Sequence, residues 1–205
     1  MPSATDRTPE SPHRSWGRVV SRVLGPAVTV PAVVLGIAVY AAPPGPARWG
    51  WVAVTVGLVA GAPVALVVAL ARAGVLESID ARPRRQRLWT LAALVAIEVA
   101  AVSVLALLGA PPLLFGLVAS CVVGVVVMAL VTPVVRASIH VAALAVPAGA
   151  FVHVAWPVSV ALLAAAAVVG VARLTVRDHT PLEVTVGMVA GATTGLAAAA
   201  VLLPS

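Results

Sequence analysis

The stretch Pro112-Leu-Leu-Phe-Gly-Leu-Val-Ala-Ser-Cys-Val-Val-Gly-Val-Val-Val-Met-Ala-Leu-Val-Thr-Pro-Val-Val135 decides the fold, because it contains no charged residue over its whole length. Coiled as a helix at ~1.5 Å per residue it reaches about 36 Å, enough to cross a hydrocarbon core of about 30 Å. Similar apolar runs recur throughout the chain. They predict spans near 18–41, 50–73, 88–109, 112–135, 139–155, 157–175 and 181–203. The breaks between them are Pro and Gly clusters: Ala42-Pro43-Pro44-Gly45-Pro46, Gly109-Ala110-Pro111-Pro112 and Trp156-Pro157. Of the 205 residues, 61% are hydrophobic and only 10% charged, far too little polar surface for a soluble domain of this size. The expectation is an all-α, polytopic transmembrane helical bundle of six to seven spans. Residues 17–205 form its single domain, behind a disordered tail over residues 1–16 rich in Ser, Thr, Pro and charge. The first apolar run is too long for a signal-peptide core and has no clear small-residue cleavage site, so it reads as a retained span.

Every basic residue is Arg, and the net charge is +6. The arginines flank apolar spans instead of forming a basic stripe with interleaved aromatics, which argues against a nucleic-acid partner and for topology determinants. Under alternating topology, Arg7, Arg14, Arg18, Arg22, Arg72, Arg82, Arg84, Arg85, Arg87, Arg136, Arg173 and Arg177 share one face, and only Arg48 falls on the other. By the positive-inside rule the crowded face is cytoplasmic, with anionic lipid headgroups as a further partner. Trp49, Trp51 and Trp156 then form a belt at the opposite interface, where His153 also falls.

Against this background two polar clusters stand out: Ser138-Ile139-His140, and the segment from Arg173 through Arg177-Asp178-His179-Thr180-Pro181 to Glu183. Alternation brings both to the cytoplasmic face, together with the arginine-rich turn at 77–87. A phosphomonoester needs several fixed cations, and the planar guanidinium matches its oxygens. Histidine can serve as nucleophile or acid near neutral pH. Ser138 and the backbone N–H groups opening the next helix can add donors to an anion. Glu183 lies four residues after His179, the spacing at which helical side chains meet. Pro181 at the helix start leaves open whether His179 lies inside the helix, and Asp178 is a rival partner for it. Thr180 and Pro181 read as N-cap and first helical residue.

These loops, in this order, resemble the type 2 phosphatidic acid phosphatase family, the lipid branch of the vanadium-haloperoxidase-like phosphatases. That family carries Lys-x6-Arg-Pro, Pro-Ser-Gly-His and Ser-Arg-x5-His-x3-Asp motifs. Here Arg173-x5-His179-x3-Glu183 matches the third, with Ala172 for Ser and Glu for Asp. Ala137-Ser138-Ile139-His140 keeps the Ser and His of the second. For the first, Arg82-Pro83 keeps the dipeptide but has Val75 at the Lys position; in another register Asp80-x6-Arg87 keeps the spacing, a form similar to divergent bacterial members. The resemblance spans roughly residues 77–195. It implies a metal-independent hydrolase without cofactor, in a bacterial plasma membrane, acting on a lipid phosphate or diphosphate of the polyprenyl, isoprenoid or phosphatidate class. It implies further that His179 attacks phosphorus to form a phosphohistidine, Glu183 orients it, and His140 protonates the leaving oxygen. Arg173, Ser138 and Arg87, with Arg82 and Asp80 nearby, would cradle the phosphate.

The alternative is a non-catalytic relative or a small transport or accessory protein, in which Glu98 is the residue to watch. Halfway along its span, an ionised carboxylate costs roughly 3 kcal/mol or more. Arg136, Arg173 and Arg177 also fit simple anchors at span ends, and Ser138 an ordinary N-cap. Cys121 reads as a small packing residue. Gly187, Gly191 and Gly195 recur every four residues in register with Glu183, the pattern of closely packed helices.

Overall fold

A computed structural model describes residues 12–75 and 84–203. Among these residues there is helix and no strand. Eight helices follow in order: α1 Pro12–Val23, α2 Pro26–Ala41, α3 Arg48–Arg72, α4 Arg84–Leu107, α5 Pro112–Val131, α6 Ile139–Phe151, α7 Trp156–Thr175 and α8 Pro181–Leu202. Five stretches are long and apolar enough to cross a membrane: Arg48–Arg72, Leu88–Leu107, Pro112–Val131, Trp156–Thr175 and Pro181–Leu202. They fit an integral membrane protein built as a helical bundle. α2 and α6 are apolar but shorter.

Proline opens several of the helices, and a left-handed glycine closes two of them, Gly74 after α3 and Gly109 after α4. Pro26, Pro112, Pro157 and Pro181 sit in the first turns of α2, α5, α7 and α8, where a missing N–H has no intrahelical partner to lose. Inside α3, Pro63 cannot donate to the carbonyl four residues back. The helix responds with a π turn at Val56–Gly61, in which Ala62 N–H reaches the Gly57 carbonyl.

The N-terminal region differs from its sequence reading. The segment expected as a tail to residue 16 is already helical from Pro12, and the span expected over 18–41 is broken at Leu24–Gly25. Gly25 is extended (φ −72°, ψ 158°), because the residue before a proline is driven out of the helical region. α1 then packs on the end of α7 at Gly17.

α6 is the centre of the C-terminal half. From His140 to Phe151 all but one of its residues are buried, so it is apolar all round, as a helix enclosed by others should be. It packs most extensively on α8, then on α7, and also on α2 and α5. The glycine stripe makes this possible. A Cβ on Gly187 would stand 2.7 Å from the Ser138 carbonyl oxygen, and one on Gly191 3.0 Å from the Ala145 Cβ. One on Gly195 would run into the Val146 carbonyl, and Gly149 of α6 meets the Ala192 carbonyl in the same way. The two backbones are in contact, as close small-residue packing allows. The other half has a core of larger side chains, including Ile37, Val52, Leu105, Leu114 and Leu117, between α2, α3, α4 and α5.

Candidate functional site

The last turn of α7, the first turn of α8 and the first turn of α6 meet at one end of the bundle. α7 closes with Arg177 in the left-handed region (φ 58°), the only non-glycine residue with positive φ among those described. Arg177 N–H donates to the Leu174 carbonyl (3.0 Å) and Asp178 N–H to the Arg173 carbonyl (3.1 Å). A glycine normally occupies this position of a helix end. The turn throws Asp178 and His179 back across the end of the bundle.

α8 then starts with a capping box. Glu183 N–H donates to Thr180 Oγ1 (3.3 Å), and Thr180 N–H donates to Glu183 Oε2 (2.9 Å). The same Oε2 accepts from His179 Nδ1 at 3.0 Å. His179 therefore lies just outside the helix, immediately before its N-cap, and Glu183 still reaches it from the third helical position. One carboxylate both caps α8 and fixes the imidazole. A carboxylate on Nδ1 holds the proton there, leaving the Nε2 lone pair unprotonated and turned away. Burial pulls the His179 pKa below its ordinary value; the hydrogen bond and charge of Glu183 oppose this, and the positive charges of Arg173 and Arg136 reinforce it. Asp178, the rival partner, is engaged elsewhere: its Oδ2 lies 3.2 Å from Arg173 Nη1.

The second cluster joins the first through the backbone. Ser138 N–H donates to the Glu183 carbonyl (3.0 Å), directly beneath the contact between Ser138 and Gly187. Ser138 is the N-cap of α6, yet its side chain makes no capping bond. Its Oγ is fully enclosed and has no hydrogen-bond partner. A buried hydroxyl left in that state costs about 1–3 kcal/mol, so the ordinary N-cap reading does not account for it. His140, two residues on, is buried in the first turn of α6, and Arg173 is buried in the last turn of α7.

Ser138, His140, Arg173, His179 and Glu183 thus occupy three adjoining helix ends. Arg136, two residues before Ser138, is exposed, and its charge is the weakest of the influences on His179. Sequence reasoning set it aside as a span-end anchor. Arg82 and Asp80 lie outside the described residues. Arg87 falls in the first turn of α4; that helix packs on α5, which in turn packs on α6 and α8. Among the described residues no group of three or more His, Cys, Asp or Glu is placed to hold a metal ion.

No family model, no curated protein and no solved structure matches this chain.

Proposed function

We infer that the protein is a membrane-embedded phosphatase of the type 2 phosphatidic acid phosphatase kind, hydrolysing a lipid phosphate or diphosphate at the cytoplasmic face of a bacterial membrane. The observation that carries this reading is the hydrogen bond from His179 Nδ1 to Glu183 Oε2, which leaves Nε2 as a positioned nucleophile among arginines. In this reading α2 and α6 join the five long apolar helices as shorter spans, giving seven.

The chemistry follows from the residues. Arg173 takes the phosphate oxygens, exchanging its partner Asp178 for the substrate, and Ser138 Oγ donates to them. The Nε2 lone pair of His179 attacks phosphorus as the bond to the lipid oxygen breaks. His140 gives that oxygen its proton. Water then attacks the phosphohistidine, giving a proton back to His140, the P–N bond breaks, and inorganic phosphate leaves while Nε2 recovers its lone pair. Glu183 keeps the Nδ1 proton throughout and stabilises the positive ring as it forms. An apolar cleft of about 480 Å³ between α2, α6 and α7, lined by Val33, Ile37, Leu144, Phe151 and Leu162, supports a hydrophobic substrate. Leu144 lies one turn along α6 from His140.

The test is phosphate release by the purified protein from a panel of polyprenyl phosphate, polyprenyl diphosphate and phosphatidate, without added metal. Wild type should release phosphate from at least one, and His179→Ala should not. Equal release by both sinks the assignment.

One observation favours the transport or accessory alternative: Glu98 is buried within α4 and its Oε2 has no hydrogen-bond partner. On that reading Glu98→Gln abolishes function, whereas the phosphatase reading has Glu98→Gln retain phosphate release.

A further inference from the structure

α1 is the one helix whose residue types sort into three separate sides. At ~100° per residue, Trp16, Val19 and Val23 fall within about 60° of one another, and all three are exposed, at 47%, 59% and 57%. The backbone positions of Arg14, Arg18 and Arg22, spaced four apart, fall on a second side. Gly17 lies between the two, buried against the end of α7: a Cβ there would collide with Thr175 Oγ1 and stand 2.9 Å from Val176 Cγ1 and 3.2 Å from the Ala172 carbonyl. The helix contains no acidic residue.

Its place in the fold gives these sides a meaning. α7 is long and apolar enough to cross a membrane, and α1 touches it at Ala172–Val176, its terminal turns. A bilayer around α7 therefore has its surface at the level of α1. Gly25, extended before Pro26, separates α1 from the line of α2. A helix at this level, with protein on one side, an exposed apolar edge on another and arginines on the third, has the build of an interfacial amphipathic helix.

We propose that α1 is a binding surface for anionic lipid headgroups, lying in the bilayer interface with Trp16, Val19 and Val23 in the acyl boundary and its arginines among the headgroups. Charge complementarity selects the occupant: a helix whose sequence carries three arginines and no Asp or Glu suits an anionic leaflet. This rests on α1 alone and is independent of the catalytic reading.

The test uses the full chain in vesicles of phosphatidylcholine, alone or mixed with phosphatidylglycerol. Nitroxide labels are placed at Val19→Cys and Ser21→Cys in a Cys121→Ala background, and their exposure to oxygen and to a water-soluble nickel chelate is read by power saturation. In the anionic vesicles the label at 19 should favour oxygen and the label at 21 the chelate, and high salt or Arg14, Arg18 and Arg22→Gln should weaken that contrast. Quenching of Trp16 by brominated lipid, taken as wild type minus Trp16→Phe, supplies the same answer without the cysteine replacements. Equal chelate access at 19 and 21 in anionic vesicles overturns the proposal. So does spin–spin broadening at 19, which would mean that a second copy covers the apolar edge.

Discussion

The α4–α5 and α7–α8 connections close with the same backbone turn and differ in the residue that makes it. At the first, Gly109 has φ 69°, with Gly109 N–H on Ala106 O (3.0 Å) and Ala110 N–H on Leu105 O (2.9 Å). At the second, Arg177 takes the left-handed position and repeats both bonds. A side chain in that region costs roughly 1–2 kcal/mol that glycine avoids. The first connection continues through Ala110 and Pro111 into α5 and carries no charge. The second delivers Asp178 to Arg173 and His179 to Glu183. Gly74 makes the same turn at the end of α3, so strain is held only where a side chain takes the position, beside the charged and titratable cluster, which supports the proposed site.

The comparison can be broken or sharpened by experiment. The largest effect is expected at His179, whose replacement by Ala should take phosphate release to background, while Pro111→Ala in the other connection should leave it unchanged. Next comes Glu183→Gln, which loses the carboxylate that holds the Nδ1 proton. Turnover should drop about 10²–10⁴-fold with little change in apparent substrate affinity or in stability, since Gln also closes the capping box. Gly195→Ala should destabilise the α6–α8 pair by about 1–3 kcal/mol, since the added methyl overpacks a contact between backbones; thermal unfolding in detergent reads this. At the turns themselves the signs should oppose. Gly109→Ala should lower stability by about 1 kcal/mol, and Arg177→Gly should raise it by roughly 0.5–1 kcal/mol once the extra freedom of glycine in the unfolded chain is subtracted.

The smallest effect concerns pH. The His179 pKa is lowered in the folded protein, so the unfolded chain takes up the proton first. The stability linked to this residue is fully present above about pH 6.5 and is lost as pH falls below that value. The neutral nucleophile survives to lower pH than a free imidazole, so the acid limb of the rate profile should fall below about pH 6.5. An acid limb above that value would contradict a buried, neutral His179.

Much of this was legible along the chain because it rests on local chemistry. Uncharged runs the length of a bilayer, prolines in first turns, Thr180 and Pro181 as N-cap and first helical residue, and the four-residue glycine spacing of α8 all depend on neighbours within a few positions. The break at Gly25 was local too, in the residue preceding Pro26, but it lay inside an apolar run and the run dominated the reading. Other features had no local signal. Nothing near Ser138 says that its hydroxyl is enclosed without a partner, since that depends on Gly187 and Glu183 of α8 closing over it. Nor does the sequence around Arg136 distinguish an anchor from a charge acting on His179, some forty residues later.

The sequence by itself determined that the chain is built of apolar helices, because hydrophobicity is summed over residues and needs no fold to be counted. It placed His179 four residues before Glu183 but left their contact open, because Pro181 starts the helix after His179 and Asp178 offered a second carboxylate. Only the tertiary structure decided that Asp178 pairs with Arg173 and leaves the Nδ1 proton to Glu183. It alone brought Ser138 against Glu183 and Gly187 at the start of α8, and it alone turned the first dozen helical residues onto the end of α7. Each of these depends on which helix ends meet, and that is set by the close glycine contact of α6 with α8 and by the left-handed turn at Arg177.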